Sequence, residues 1–128
     1  RDAHRVGYAY WQNGFKKEAE YYFDLQKNYC EESIKLNRGY ASDGGAYFDL
    51  AGIYAFKGDK ENAYENLRIY NNKTGEYETY GMVWFFKTDP FFNNIRNEPE
   101  FQKIFREVEV RYNKTHEEIR KWMEEQGI

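Results

Sequence analysis

The residues best suited to chemistry are few and far apart. His4 and His116 are the only histidines, and Cys30 is the only cysteine. A nucleophile needs a base within hydrogen-bond reach. Cys30 instead stands beside Tyr29, Glu31 and Glu32, and nearby acids raise a thiol pKa and oppose the reactive thiolate. A single cysteine also excludes an internal disulfide framework and a multi-cysteine metal site. His116 lies in the polar helical stretch Thr115-His116-Glu117-Glu118 and reads as solvated. Glu31-Glu32 and Glu117-Glu118 are adjacent pairs. Neighbours in sequence leave a helix in different directions, so neither pair makes a carboxylate dyad. Asp43-Gly44-Gly45 lacks the lysine and the strand–turn–helix setting of a phosphate loop. Asn72-Lys73-Thr74 and Asn113-Lys114-Thr115 fit the glycosylation triplet, a pattern short enough to arise by chance. The expectation is no catalytic residue, no metal ligand set and no cofactor: a protein that is not an enzyme.

Composition narrows the class further. At 128 residues, one domain is expected. Nineteen basic residues against twenty-two acidic ones leave a net charge of −3. Nucleic-acid binding rests on a basic patch that neutralises phosphates, so no nucleic-acid partner is expected. No apolar run is long enough to span a bilayer and no signal-peptide pattern is present, so no membrane partner is expected either. The 26 aromatic residues (13 Tyr, 10 Phe, 3 Trp) call for a core with hydroxyls at its edge, and only 2 prolines suit long helices.

The elements that would hold such a core repeat at a fixed offset. Val6-Gly7-Tyr8-Ala9-Tyr10-Trp11-Gln12-Asn13-Gly14 aligns with Leu50-Ala51-Gly52-Ile53-Tyr54-Ala55-Phe56-Lys57-Gly58, 44 residues later. Ala19 aligns with Ala63, and Phe23 with Leu67. Each unit reads as a helix with apolar residues near the helical period, a glycine that ends it, and a second helix. Small residues at Gly7, Ala51, Ala19 and Ala63 would let two antiparallel helices approach closely, where larger side chains would overpack the contact at about 1–3 kcal/mol each.

These residues resemble the tetratricopeptide (TPR) signature, L-G-x-x-Y, a turn glycine, then A-x-x-x-F. Val6-Gly7-Tyr8-Ala9-Tyr10 with Ala19 and Phe23 matches it once. Leu50-Ala51-Gly52-Ile53-Tyr54 with Gly58, Ala63 and Leu67 matches it again. The offset exceeds the usual 34-residue repeat. The extra residues read as a second helix extended to about Leu36, followed by a loop over 37–45 carrying three glycines. The motif tryptophan is Ala3 or Tyr47, and the closing proline is absent. A 44-residue period also falls in the range of HEAT and armadillo repeats.

Beyond Asn72 the repeat fades. Lys73-Thr74-Gly75-Glu76 reads as a turn and Tyr80–Phe86 as a buried short helix, with a strand as the alternative. Asp89 and Pro90 read as the N-cap and first position of a short helix through Phe91, Phe92 and Ile95. Asn97-Glu98-Pro99-Glu100 reads as a capping-box start. It opens a long helix that carries Phe101, Ile104, Phe105, Val108 and Tyr112 and ends near Gln126. The segment Asp89-Pro90-Phe91-Phe92 … Ile95-Arg96 … Pro99-Glu100-Phe101 resembles a tail that follows TPR repeats in bacterial regulatory and signalling proteins of Bacteroidetes type.

The expected fold is therefore all-α: a TPR-like α–α superhelix of two helical hairpins (residues 1–40 and 41–72), capped by helices over 73–128. The chain reads as part of a longer protein, and a cytoplasmic location is expected. The TPR resemblance implies a protein–protein interaction module that takes a peptide, a helix or a neighbouring domain in its concave groove. It places His4, Tyr8, Trp11 and Gln12 on that groove in the first copy, and Phe48, Gly52, Ala55 and Phe56 in the second. The alternative is that these aromatics pack on the next helix or on the C-terminal tail. Ile119, Trp122 and Met123, at the end of the long helix, are the expected external contact, either for a partner or for a homodimer.

Overall fold

A computed structural model describes residues 2–73 and 80–128. The expected turn at Lys73–Glu76 lies largely outside the described residues. The described residues form seven α-helices and one 3₁₀ turn: α1 Ala3–Gln12, α2 Lys16–Lys35, α3 Gly39–Ser42, α4 Gly45–Phe56, α5 Lys60–Lys73, α6 Tyr80–Thr88, the 3₁₀ turn Pro90–Phe92, and α7 Pro99–Glu125. No strand occurs among the described residues, so Tyr80–Thr88 is a helix and the strand alternative is set aside.

Helices α1 and α2 form one hairpin and α4 and α5 a second, as the 44-residue offset requires. Their turns match bond for bond. Gly14 and Gly58 sit at φ +83° and +85°, where a side chain would be strained. The Phe15 N–H donates to the Tyr10 carbonyl at 2.9 Å, and the Asp59 N–H to the Tyr54 carbonyl at 2.9 Å. The Gly14 and Gly58 N–H groups reach the Trp11 and Ala55 carbonyls, both at 3.0 Å. Each turn is a Schellman motif that satisfies the last carbonyls of its helix. On α2 the buried residues Ala19, Phe23, Gln26, Cys30 and Ser33 recur every three or four positions, one face of a helix. In contrast α4 is buried nearly all round, through Ala46, Phe48, Leu50, Ala51, Gly52, Ile53 and Ala55. It is the central helix, with α2 on one side, α5 on another and the C-terminal elements on a third.

Two boundaries differ from expectation. The glycine loop contains a single helical turn, α3, whose Tyr40 and Ala41 are buried against Ala46 and Leu50. The long helix begins one residue late, with Glu98 at the N-cap and no side-chain cap. The Glu98 carboxylate is drawn away to α5, where it accepts from the Tyr64 hydroxyl at 2.5 Å and pairs with the Lys60 ammonium. Asp89 does cap, accepting from the Phe91 N–H at 3.1 Å ahead of Pro90.

Candidate functional site

Four residues expected on the groove meet in one place. Tyr8, Trp11 and Gln12 from α1 and Phe56 from α4 line a cleft of about 420 Å³, closed on its third side by Pro90, Asn93 and Asn94. Position follows from helical spacing. Tyr8, Trp11 and Gln12 are three and four residues apart on α1, and Phe56 ends α4 at the matching level. The Phe56 ring meets Tyr8 at 6.0 Å and Trp11 at 5.3 Å, both edge to face. The Gln12 amide donates to the Tyr8 hydroxyl at 3.2 Å, and the Lys16 ammonium lies 4.9 Å from the Trp11 ring. No charged side chain lines the cleft. Its walls are aromatic and amide.

The other positions expected on the groove are buried. Phe48 is 3% exposed, with its ring 5.1 Å from Phe92, 5.3 Å from Phe86 and 5.4 Å from Tyr70. It is part of the core. Gly52 and Ala55 are buried as well. A Cβ on Gly52 would lie 3.2 Å from that of Phe91, and the Asn94 amide donates to the Ala55 carbonyl at 3.3 Å. The physical cause is the tail. Phe91 and Phe92 fill the concave side of α4, and the Arg5 guanidinium anchors them through a bidentate pair with buried Asp89, 2.9 Å for both bonds. His4 is likewise buried, with its ring 5.2 Å from Phe91.

The far end of α7 is different. Phe101, Ile104 and Val108 are buried. Seven residues past Tyr112 the same face returns with Ile119, followed by Trp122 and Met123, and all three are exposed, Trp122 at 55%. The apolar stripe outruns the body that covers its first half.

A buried polar cluster joins the two hairpins, and no sequence signal announced it. The Gln26 side chain accepts from the Ala3 N–H at 3.1 Å and donates to the Tyr40 hydroxyl at 2.9 Å. The Tyr40 hydroxyl donates to Asp49 and lies 3.4 Å from the Cys30 sulfur. His4 Nε2 is 3.5 Å from Asp49. Its members lie 4, 10 and 9 residues apart along α2, α3 and α4, a spacing that belongs to no local motif. Burial, ahead of the Asp49 charge and with Glu31 least, pushes the Cys30 thiol up to about 11. The expected rise is therefore due to desolvation more than to the adjacent acids. Burial and Asp49 also raise the Tyr40 hydroxyl. Both shifts hold the proton on Cys30 and Tyr40 and oppose a thiolate.

Among the described residues no group of three His, Cys, Asp or Glu side chains is placed to hold a metal ion, and no helix is long and apolar enough to cross a membrane. Comparison of the chain with protein-family models, curated proteins and solved structures gives no match.

Proposed function

We propose that this chain is a non-catalytic protein–protein interaction module, a TPR-like α–α superhelix acting as a scaffold. It docks a peptide, a helix or a neighbouring domain at the cleft of Tyr8, Trp11, Gln12 and Phe56. One observation carries the reading: residues from two helices 44 positions apart converge on an uncharged aromatic cleft that the tail leaves open. Such walls suit an apolar or uncharged segment, because an aromatic surface gains from area burial and an amide supplies orienting hydrogen bonds. A cytoplasmic location belongs to the same proposal.

The test is selection of peptides from a random display library against the purified chain. Selected peptides should shift the Trp11 indole NMR signal, and Trp11→Ala and Gln12→Ala should abolish binding with the melting temperature unchanged. Ligands that leave Trp11 unmoved, or a Trp11→Ala chain that unfolds, would count against it. Phe56 is unsuitable as a binding probe, since its ring also packs on Phe23 at 5.3 Å and Phe91 at 5.4 Å.

A second reading rests on the exposed stripe of α7. Ile119, Trp122 and Met123 continue a buried face into solvent, and Trp and Met are frequent interface anchors. On this reading the chain self-associates through its last helix. Sedimentation velocity should give a dimer that Trp122→Ala dissociates; a monomer at all concentrations would remove the reading.

A further inference from the structure

A second apolar face lies on the opposite side of α1 from the cleft. Val6, Ala9, Tyr10 and Asn13 lie at i, i+3, i+4 and i+7, one face of the helix. With Phe15 they line a hollow of about 190 Å³. Val6 is 44% exposed and Phe15 55%. The molecule contains the answer to what such a face receives, because it holds the same face twice. Forty-four residues later the equivalent positions are Leu50, Ile53, Tyr54 and Lys57 on α4. There the face is closed, with Leu50 at 4% and Ile53 at 1% exposure.

What closes it is the second helix of the preceding hairpin. Cys30 of α2 shares a buried cluster with Leu50, joined by Tyr40 and Ala41 of α3, and Ala19 and Phe23 share another with Ile53, joined by Phe91. The Lys27 ammonium lies 5.4 Å from the Tyr54 ring. Lys57 pairs with Glu20 at 3.1 Å and Asp24 at 3.7 Å. At the opposite end of the stack α7 packs on α5, and the 3₁₀ turn packs on α4.

We propose that the Val6–Ala9–Tyr10–Asn13 face is a docking seat for the second helix of another hairpin of this same kind, stacked ahead of α1 as α1 and α2 stack ahead of α4. The chemistry of the incoming helix follows from the differences between the two seats. The first seat has Asn13 where the second has Lys57, and Phe15 where the second has Asp59. Its partner needs no acidic pair and presents small and aromatic side chains at i, i+4 and i+11, as Ala19, Phe23 and Cys30 do.

The experiment is a chain in which residues 1–44 are repeated immediately ahead of Arg1, the natural 128 residues following intact. The added hairpin should raise the helical circular dichroism by its full share. The chain should unfold in one transition, with a midpoint at least about 4 °C above the parent. Val6→Glu in the inner copy should return the midpoint to the parental value, while the same change in the parent leaves its midpoint unmoved. An added hairpin that contributes no helix, or a midpoint that does not move, overturns the proposal. So does a parent that proves to be a dimer dissociated by Val6→Glu, because the seat then belongs to a second copy. None of these outcomes depends on the cleft or on α7.

Discussion

The two hairpins share a backbone and divide their side chains differently. In the first, Gly7 of α1 faces Phe23 of α2, and a Cβ on Gly7 would stand 2.9 Å from that ring and 3.0 Å from the Ala19 carbonyl oxygen. In the second, Ala51 and Leu67 take the equivalent places, both fully buried. The larger ring on one helix is matched by the missing methyl on the other. The hairpins also differ in cover. The second is enclosed by α2 on one side and by Phe91, Phe92 and α7 on the other. The first keeps the Val6 face and the Trp11 cleft open. A repeat thus fixes the distance between helices, while its neighbours decide which of its faces are core and which are surface.

The widest gap should appear when an aromatic is lost from the concave side of each hairpin, Phe92 of the tail over the second and Trp11 on the first. Phe92 is fully buried against α4, and Phe92→Ala should cost about 3–5 kcal/mol in urea unfolding, as large cavities in cores do. Trp11→Ala, on the open hairpin, should cost no more than about 1 kcal/mol. Equal costs would mean that both hairpins are equally enclosed. The Gly7 and Phe23 pair sharpens the comparison. Gly7→Ala alone should destabilise by about 1–3 kcal/mol through overpacking. Adding Phe23→Leu imports the second hairpin's pair and should recover part of that loss, read as a favourable coupling in a double-mutant cycle. Additive effects would show that the two residues do not share one contact.

What was legible in the sequence follows the same division. The turn glycines Gly14 and Gly58 and the close-approach residues Ala19 and Ala63 act over a few residues, and their types declare their roles. The burial of Phe48 depends on Phe92, more than forty positions away, returning to cover it. Nothing in the run Ala46–Leu50 distinguishes a groove aromatic from a core one. The single turn α3 is too short to show a helical period. At the start of α7 the Glu98 carboxylate bonds Tyr64 and Lys60 on another helix and does not cap its own, a long-range pairing that no capping pattern contains. All-α class, hairpin order and the helical nature of α6 were readable; which aromatics remain free was not.

The joint between the hairpins should show itself at alkaline pH. Burial pushes the Cys30 thiol up to about 11 in the folded chain, from 9.0 for an ordinary thiol. A raised pKa means that the folded state holds the proton more tightly. Its stabilisation is complete below pH 9 and is lost as pH rises through 11, a change of about 2–3 kcal/mol. Tyr40 and Tyr64, also raised, extend the loss above their ordinary pKa. Urea midpoints measured between pH 8 and 11 should fall, and Cys30→Ala should flatten the part between 9 and 11. A native chain whose Cys30 is alkylated rapidly at pH 8 would contradict the assignment.

The smallest effect on stability is expected where the chain is most exposed. Trp122 lies beyond the part of α7 that the body covers, so Trp122→Ala should change the unfolding free energy by no more than about 0.5 kcal/mol. The comparison with Val108 on the same face makes this informative. Val108 is fully buried, and Val108→Ala should cost at least about 1 kcal/mol by the loss of buried methyl groups. If Trp122→Ala instead costs as much as Val108→Ala at micromolar concentration, and the cost vanishes on dilution, the stripe is covered by a second molecule. If the cost persists on dilution, the end of α7 packs on its own body and the self-association reading fails.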